Sequence, residues 1–548
     1  MAHAIPAAPD PSIAAAAPRP DTADAPIQTL KVLITAEEAF PELERLFLTA
    51  RHHIRASFRV FDLATKLRST EARAIGDTWL DLVAHTLSRG VEINIVIADF
   101  DPIAAADLHR STWRSVRQFT AAEAIAGDTA RLSVKAARHP ARVGVMPQMI
   151  FWPMAAQRLR HHCRDLAQLT PAVRHTRLRD MPNLRANLKP VTEAHDQPRA
   201  RFTPPPHLYP VTHHQKLACF DSETLYIGGL DLDERRFDTK DHKRAAGATW
   251  HDVQLIVTGP VVADAETHLR GFHAATQAGA AAPKPPASPD FLTTLSQARG
   301  FGPTAIAPHN ISASLLKAHL QGIKAARRLI YIETQFLRDR RISKALCAAA
   351  KARPELRAII ILPAAPEDVA FENNTGPDAR FGEYLQARNL RHMRRAFGAR
   401  LFVGAPVRPV TAPDTDADED ADQNRAALHR APLIYVHAKV SIFDDQSAIV
   451  SSANLNGRSL RWDTEAGLRI TDPEQITHLR QRVFSHWLTD DGTAAHFDPA
   501  TAQAAWADTA QENVTRPPER REGFIVPYDR RAAENFGAPV PAVPEEMV

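Results

Sequence analysis

The sequence predicts an α/β protein built from two similar halves. In each half, apolar residues recur at helical spacing and lead into a short apolar run with the length of a buried strand. The first such pair ends in the run Ile54–Phe61, and its counterpart in the second half ends in Leu329–Phe336. Another helix-and-strand pair follows in each half. A predicted helix at Trp79–Ser88 leads into a strand-like run at Val91–Asp99, and one at Ser343–Ala352 leads into Leu356–Leu362. Helices that feed buried strands are typical of a mixed β-sheet flanked by helices, so we expect one such sheet in each half.

A proline-rich stretch separates the halves and sets the predicted domain boundaries. Residues 279–290 cannot continue a helix or a central strand, because proline has no backbone N–H to donate. The basic insertion 131–201 interrupts the first half with 14 Lys and Arg against 4 Asp and Glu, and an acidic loop at 414–422 interrupts the second. The predicted order is a disordered Ala/Pro-rich tail at 1–27, an N-terminal domain at 28–278, the linker at 279–290, a C-terminal domain at 291–514 and a Pro/Arg-rich tail at 515–548.

Composition indicates an ordinary globular chain. The 548 residues are 44% hydrophobic and 24% charged, which is enough for two domains with a buried core. The net charge of +4 is too small to indicate a polyanionic partner. Three scattered cysteines exclude a disulfide framework and lack the paired spacing of zinc ligands, which favours a reducing compartment.

Any membrane contact is expected to be peripheral. No run approaches the roughly 18 apolar residues of a transmembrane helix. The first 27 residues have neither the basic start nor the apolar stretch of a secretory signal. The sequence therefore favours the cytoplasm or a membrane surface, with export by a signal-independent route as the alternative.

One segment of the basic insertion suits such a contact. Residues 146–154 place Phe151 and Trp152 among three methionines, so an apolar tip could enter an anionic bilayer while nearby cations meet the head groups. The same basicity suits nucleic-acid phosphates. The plain structural alternative is that the aromatic pair covers the core.

Two motifs match each other position by position. His214-Gln-Lys216 is followed after four residues by Asp221, and six residues later by Gly228, Gly229 and, two positions on, Asp231. The second half repeats the pattern with His437, Lys439, Asp444, Ser451, Ser452 and Asn454. A repeat of this length is much less expected by chance than one copy.

The doubled pattern suits chemistry at a phosphodiester. The apolar-rich run Leu433–Phe443 predicts one strand that carries both His437 and Lys439. On a strand, residues two apart share a face, so each His and Lys are expected to point together. One imidazole can attack phosphorus while the other protonates the leaving oxygen, and two ammonium groups can balance the phosphate charge without a metal. The alternative is that each His and Lys has only a structural role, in packing or at the surface. That alternative explains a single motif better than a repeated one.

These residues resemble the paired HKD motifs of the phospholipase D superfamily, and the resemblance spans roughly residues 28–500. Tyr331–Phe336, Trp250–Val253 with Thr258–Pro260, Asn454–Ser459 and Asp463–Glu465 resemble other segments of the family. The resemblance implies two pseudo-symmetric α/β domains, each with a mixed sheet flanked by helices, and an active site at their interface. It also implies a phosphohistidine intermediate.

The resemblance assigns a role to each matched residue. It implies that His214 is the nucleophile, that His437 is the general acid and base, and that Asp252 and Glu465 orient the two imidazoles. It further implies phosphate binding by Lys216, Lys439, Asn454 and Ser452, and structural roles for Asp221, Asp444, Gly228 and Gly229. Asp231 departs from the Asn454 pattern, since a carboxylate repels phosphate unless it is protonated or turned away.

The expected function is that of a phospholipase D, which hydrolyses the distal phosphodiester of a glycerophospholipid at a membrane surface or transfers the phosphatidyl group to an alcohol. The alternatives are a nuclease, a cardiolipin-synthase-like transferase and a non-catalytic lipid-binding module. No cofactor and no metal are expected: His213, His214, His242 and His251 fit no common zinc spacing, and no structural calcium is predicted.

Overall fold

The computed structural model describes residues 25–190, 197–300, 302–412, 425–541 and 543–547. The predicted acidic loop at 414–422, and the predicted N-terminal tail up to residue 24, lie outside these residues.

The first half forms a seven-stranded mixed sheet with the order β1-β7-β6-β5-β2-β3-β4. Strands β2, β3 and β4 are parallel neighbours, and all the other pairs are antiparallel. The elements are β1 (Thr29–Ile34), α1 (Thr35–Thr49), β2 (His53–Phe58), α2 (Thr70–Arg73), α3 (Trp79–Ser88), β3 (Glu92–Asp99), α4 (Ala106–Ala126), β4 (Arg131–Arg138), α5 (Val145–Ala167), α6 (Pro171–Arg179), α7 (Pro182–Arg185), β5 (Leu217–Phe220), β6 (Thr224–Gly228), β7 (Val253–Thr258) and α8 (Val261–Ala275).

The second half forms a nine-stranded mixed sheet with the order β9-β8-β17-β16-β15-β10-β11-β12-β18. A separate two-stranded ribbon pairs β13 with β14. The elements are β8 (Phe291–Gln297), β9 (His309–Ala313), α9 (Ser314–Ala325), β10 (Leu329–Thr334), α10 (Arg340–Ala352), β11 (Arg357–Ile361), α11 (Glu367–Phe371), α12 (Pro377–Phe397), β12 (Leu401–Pro406), β13 (Ala427–Leu428), β14 (Ala431–Pro432), β15 (Lys439–Phe443), β16 (Ser447–Ser451), α13 (Gly457–Arg461), β17 (Glu465–Ile470), α14 (Pro473–Leu488), α15 (Ala494–Phe497), α16 (Ala502–Thr515), β18 (Ile525–Pro527) and α17 (Arg530–Phe536).

The two sheets share one topology, which confirms the predicted fold class of two pseudo-symmetric α/β units. Strand order β1-β7-β6-β5-β2-β3-β4 in the first sheet corresponds to β8-β17-β16-β15-β10-β11-β12 in the second. The second sheet adds one edge strand on each side, β9 and β18. One apolar cluster contains Leu217 and Leu255 of the first sheet together with Val440 and Leu468 of the second, so the sheets pack against each other across a common core.

Two segments contribute to the sheets more than the sequence predicts. The basic insertion begins inside the first sheet, because residues 131–138 form β4 and pair with β3 along their whole length. Later in the insertion, α5, α6 and α7 surround a small core that includes Leu159 and Leu184. The C-terminal segment is also more than a surface tail, since β18 pairs with β12.

No helix in the described ranges is long and apolar enough to cross a membrane.

Candidate active site

Each motif is a β-hairpin preceded by its histidine. Lys216 precedes β5 directly and Lys439 opens β15, and each strand turns back into its neighbour, β6 or β16. The expectation that residues 433–443 form one strand is wrong in its first part, because β15 begins only at Lys439. Residues 435–437 instead bond to residues 249–251 of the other half, whereas Ile434 donates to the carbonyl of Pro406 in β12.

The aspartates of the two motifs occupy equivalent turns. Asp221 accepts hydrogen bonds from the backbone N–H groups of residues 51, 52 and 53 at 2.8, 2.8 and 2.9 Å. Asp444 accepts the same three bonds from residues 327, 328 and 329 at 2.6, 2.9 and 2.7 Å. Both residues have a left-handed backbone, with φ of 53° and 51°. Each aspartate therefore fixes the start of the strand that runs beside its hairpin, β2 or β10.

Two short parallel bridges cross between the halves. His213 pairs with Thr464, and the N–H of His214 donates to the carbonyl of Thr464 at 2.8 Å. In the same way His251 pairs with Val436, and the N–H of His437 donates to the carbonyl of His251 at 2.8 Å. Each motif histidine is thus placed by backbone from the opposite half.

The bridges bring each imidazole to a carboxylate of the opposite half. Nδ1 of His214 lies 3.0 Å from Oε1 of Glu465, and Nδ1 of His437 lies 2.7 Å from Oδ2 of Asp252. All four side chains are buried. Because Nδ1 is the nitrogen held in both rings, Nε2 of each ring is left for a substrate.

Small residues make room for these carboxylates. A Cβ atom on Gly229 would lie 2.2 Å from Oδ1 of Asp252, and one on Gly228 would lie 1.9 Å from Oε1 of Gln254. In the second half Ser452 takes the place of Gly229, and its hydroxyl donates to Glu465 at 2.5 Å. Ser452 therefore lies behind the orienting carboxylate, where it holds Glu465.

Both motif lysines are buried, and each ammonium group donates to the carbonyl of its own motif histidine. Burial lowers the pKa of Lys216, and it lowers the pKa of Lys439 to about 7. Buried cations without a full set of anionic partners favour the arrival of an anion. The pair is therefore suited to a phosphate group.

Burial also controls the protonation of the histidines and of their carboxylate partners. It lowers the pKa of His214 and of His437 well below the usual range, and the motif lysine beside each ring lowers it further. Burial raises the pKa of Asp252 to about 6 and that of Glu465 to about 8, although Lys439 and Lys216 oppose these shifts. Both imidazoles are consequently neutral at neutral pH, which is the form in which Nε2 can attack.

Asp231 and Asn454 occupy corresponding positions but make different contacts. Asp231 accepts a hydrogen bond from the N–H of Val60 at 2.9 Å and lies 3.8 Å from Nζ of Lys216 and 3.7 Å from Arg59. Its charge is therefore balanced within the protein. The amide of Asn454 donates to Oε1 of Gln335 at 3.0 Å, and its buried Oδ1 has no hydrogen-bond partner among the described residues.

Three further residues belong to this site although sequence reasoning gave them no role. The ring of Trp250 lies 4.5 Å from that of His437, centroid to centroid. Gln335 joins Asn454 to the hydroxyl of Tyr435, to which it donates at 2.7 Å. Trp250 and Gln335 stand inside segments that the sequence singled out, whereas Arg59 beside Asp231 carries no pattern that could have identified it.

Part of the chain matches a described family, and curated proteins are similar to it at low identity. Residues 320–487 match the family model described as "Cardiolipin synthase, PLD-like domain". Phospholipase D1 of Schizosaccharomyces pombe is 24% identical over 353 residues, covering 48% of this chain and 25% of that protein. Phospholipase D gamma 1 of Arabidopsis thaliana is 23% identical over 379 residues, covering 47% of this chain and 44% of that protein. The chain therefore spans less than half the length of these relatives.

Among solved structures, the phosphatidylserine synthase of Haemophilus influenzae Rd KW20 is similar to this chain. The TM-score is 0.46 and the identity is 12%, with 91% of this chain and 95% of that chain covered.

Proposed function

This chain belongs to the phospholipase D superfamily, and from that premise we propose that it cleaves a phosphodiester through a covalent histidine intermediate. The observation that carries the proposal is the crosswise pairing of His214 with Glu465 and of His437 with Asp252, beside two buried lysines. Two imidazoles with Nδ1 held and Nε2 left for a substrate are what a two-step displacement at phosphorus requires.

In the first step, Nε2 of His214 attacks phosphorus and the bond from phosphorus to the leaving oxygen breaks. That oxygen takes a proton from Nε2 of His437. Although burial keeps His437 neutral in the free protein, the negative charge of a bound phosphodiester favours the protonated ring. Lys216 and Lys439 stabilise the charge on the non-bridging oxygens, and Glu465 keeps Nδ1 of His214 in place while positive charge develops on that ring.

In the second step, neutral His437 takes a proton from the acceptor, whose oxygen attacks phosphorus while the bond to His214 breaks. Water as the acceptor gives hydrolysis, and an alcohol gives transfer of the phosphoryl group. Both outcomes use the same atoms of the protein. The finer proposal is phospholipase D activity: phosphatidic acid with water, or a new phosphatidyl ester with an alcohol.

A phospholipid substrate requires contact with a membrane surface, and we place that contact on the first turns of α5. Five apolar side chains there are exposed: Val145, Met146, Met149, Ile150 and Met154. The aromatic pair that the sequence suggested for the tip is half-buried, and Trp152 packs on Phe202 at 6.2 Å between ring centroids. We call the five exposed residues the α5 patch.

The position of the α5 patch supports this placement. The ring of His139 lies 5.2 Å from that of His213, the residue next to His214. Val145 follows His139 by six residues and so lies within about 20 Å of it by chain length alone. This limit keeps the α5 patch in the region of His213, and the exposed Arg158 one turn beyond Met154 suits an anionic bilayer.

The test uses phosphatidylcholine vesicles with a little ethanol. We expect the wild-type protein to form phosphatidylethanol as well as phosphatidic acid, because ethanol competes with water for the phosphoryl enzyme. His214→Ala should form neither product, while His207→Ala, a change at an exposed histidine seven residues earlier, should retain both. If wild type forms neither product, the phosphatidylcholine assignment is wrong.

A transferase is the second candidate, favoured by the name of the family model that matches residues 320–487. Vesicles of phosphatidylglycerol separate the two, since a transferase would release glycerol and form cardiolipin in preference to phosphatidic acid. Cleavage of single-stranded DNA without cleavage of either lipid would assign the same two histidines to a nuclease.

A further inference from the structure

Three histidines that take no part in the proposed reaction converge where the two halves meet. His242 lies in the loop between β6 and β7, His251 precedes Asp252, and His486 lies near the end of α14. One ring nitrogen from each lies within 4.8 Å of the other two. His242 and His251 are fully buried, and His486 is half-buried. The first two come from the N-terminal half and the third from the C-terminal half.

Carboxylates hold the far nitrogens of two of these rings. Nδ1 of His242 lies 2.7 Å from Oδ2 of Asp238, which also accepts the N–H of Trp250 at 2.7 Å. Nε2 of His251 bonds to Glu333, whose other oxygen accepts from Tyr331 and Trp487. A carboxylate on the far nitrogen is the usual support of a histidine that binds a metal ion, because it fixes the tautomer and makes the ring more basic.

The ring nitrogens that face one another indicate that a partner is missing between them. Nδ1 of His251 is buried without a hydrogen-bond partner in the described part of the chain. A buried polar atom in that state is uncommon and destabilising unless something else binds it. Nε2 of His242 and Nε2 of His486 lie 3.0 Å apart, and two nitrogens on one tetrahedral zinc ion lie about 3.3 Å apart. A small movement of the rings would therefore admit an ion.

The surroundings suit a closed site. The ring of Trp487 lies 4.2 Å from that of His251, and Phe524 lies 5.7 Å from His242, centroid to centroid. These aromatic walls limit access of water. Imidazole nitrogens favour zinc and its neighbours among the transition metals over calcium or magnesium, which bind oxygen.

We infer that His242, His251 and His486 bind one divalent transition-metal ion, with zinc as the probe of choice, and that the ion fastens α14 to the N-terminal half. The site uses none of the proposed phosphate-binding residues. It braces the second motif through the backbone, because the carbonyl of His251 accepts the N–H of His437. The sequence spacing did not reveal this site, because His486 lies more than 230 residues beyond His251 and meets it only in the folded chain.

The test measures zinc in the full chain prepared without a polyhistidine tag. The protein is stripped with dipicolinate, refilled with excess Zn²⁺ and desalted, and bound zinc is then measured by mass spectrometry. We expect about one equivalent in wild type and in His478→Ala, the matched control: His478 lies on the same helix and is also half-buried. We expect His486→Ala and His242→Ala to retain less than a tenth of that amount.

Two further measurements separate loss of the site from loss of the fold. Circular dichroism should show His486→Ala folded, and Zn²⁺ should raise the melting temperature of wild type and His478→Ala but not that of His486→Ala. X-ray absorption of the refilled protein should show the outer-ring scattering of imidazole ligands, with one water completing the tetrahedral shell. Less than a tenth of an equivalent in wild type, equal retention by His486→Ala and His478→Ala, or an oxygen-only shell would each overturn the inference and leave a direct His242–His486 hydrogen bond.

Discussion

Nδ1 of His437 lies 2.7 Å from Oδ2 of Asp252, and the two residues belong to opposite halves of the chain. Glu465 and His214 make the reciprocal contact. Each half thus carries one imidazole and the carboxylate that orients the other half's imidazole. The geometry of either ring therefore depends on how the two sheets are packed, as well as on its own hairpin.

Gly229→Ala should disturb this arrangement directly. The added methyl group would lie 2.2 Å from Oδ1 of Asp252, so the carboxylate must move away from His437. We expect phosphodiester cleavage to fall by about 10²–10⁴-fold, the range for loss of a general acid and base. Gly271→Ala on α8 is the matched control, because its Cβ position has no atom within 4 Å beyond its chain neighbours and the backbone of its own helix. Equal activity in the two variants would contradict the role given to Asp252.

Glu465→Gln should stabilise the fold at alkaline pH while reducing activity. Burial raises the pKa of Glu465 from 4.5 to about 8, so the folded state holds a proton that the unfolded state has lost. Stability should therefore fall as pH rises from about 4.5 to 8, and this loss should disappear when the carboxyl becomes an amide.

The check is thermal unfolding at pH 5 and pH 9. We expect the melting temperature of Glu465→Gln to exceed that of wild type by a few degrees at pH 9 and by less at pH 5. Glu223→Gln, at an exposed carboxylate, should match wild type at both. A gain in melting temperature that is larger at pH 5 than at pH 9 would contradict a raised pKa for Glu465.

Asp444→Ala should destabilise the protein more than Asp221→Ala. Each change leaves three backbone N–H groups without their carboxylate. Asp444 is 4% exposed, so its N–H groups would lose their partner, whereas Asp221 is half-buried and water can bind its N–H groups instead. We expect a loss of about 2–4 kcal/mol for Asp444→Ala and about 1 kcal/mol for Asp221→Ala. Asp444→Asn, which tolerates the left-handed backbone, should recover part of the loss. Equal losses in the free energy of unfolding, measured by denaturant titration, would contradict the prediction that burial makes Asp444 more important than Asp221.

Ile150→Glu should weaken binding to vesicles without changing the chemistry. Ile150 is 71% exposed within the α5 patch, and loss of one buried aliphatic side chain corresponds to about 10-fold or more in affinity. Cosedimentation with vesicles that contain phosphatidic acid measures the binding, and hydrolysis of bis(4-nitrophenyl) phosphate measures the chemistry. Val173→Glu, an exposed apolar position on α6, is the control. If both variants bind as wild type does, the α5 patch is not the docking surface.

Much of the fold could be predicted because it depends on local patterns. Helix α3 begins and ends where the sequence places it, and β3 differs from the prediction by one residue. The error at residues 433–438 has a physical cause: this stretch is buried, but the backbone of Tyr435 and His437 bonds to His251 of the other half. Burial alone does not distinguish a strand of one sheet from a crossing between two.

The sequence motifs predicted which residues form the candidate site, but not all of the contacts between them. Asp252 and Glu465 were assigned as partners of the imidazoles, but which carboxylate serves which ring follows only from the packing of the halves. Ser452 was assigned to the phosphate, and the structure places its hydroxyl on Glu465. Arg59 could not be found at all, since a single arginine after a strand carries no signal until Asp231 is seen beside it.

The crosswise bridges make the two halves complementary fragments. If residues 1–278 and 279–548 were produced as separate polypeptides, neither would contain an imidazole with its orienting carboxylate, because each fragment would keep one histidine and the other's acid. Restored activity on mixing would then report reassembly of the two sheets directly. If the two motifs form a single reaction centre, as proposed, mutation of His214 in one fragment should not be compensated by the other.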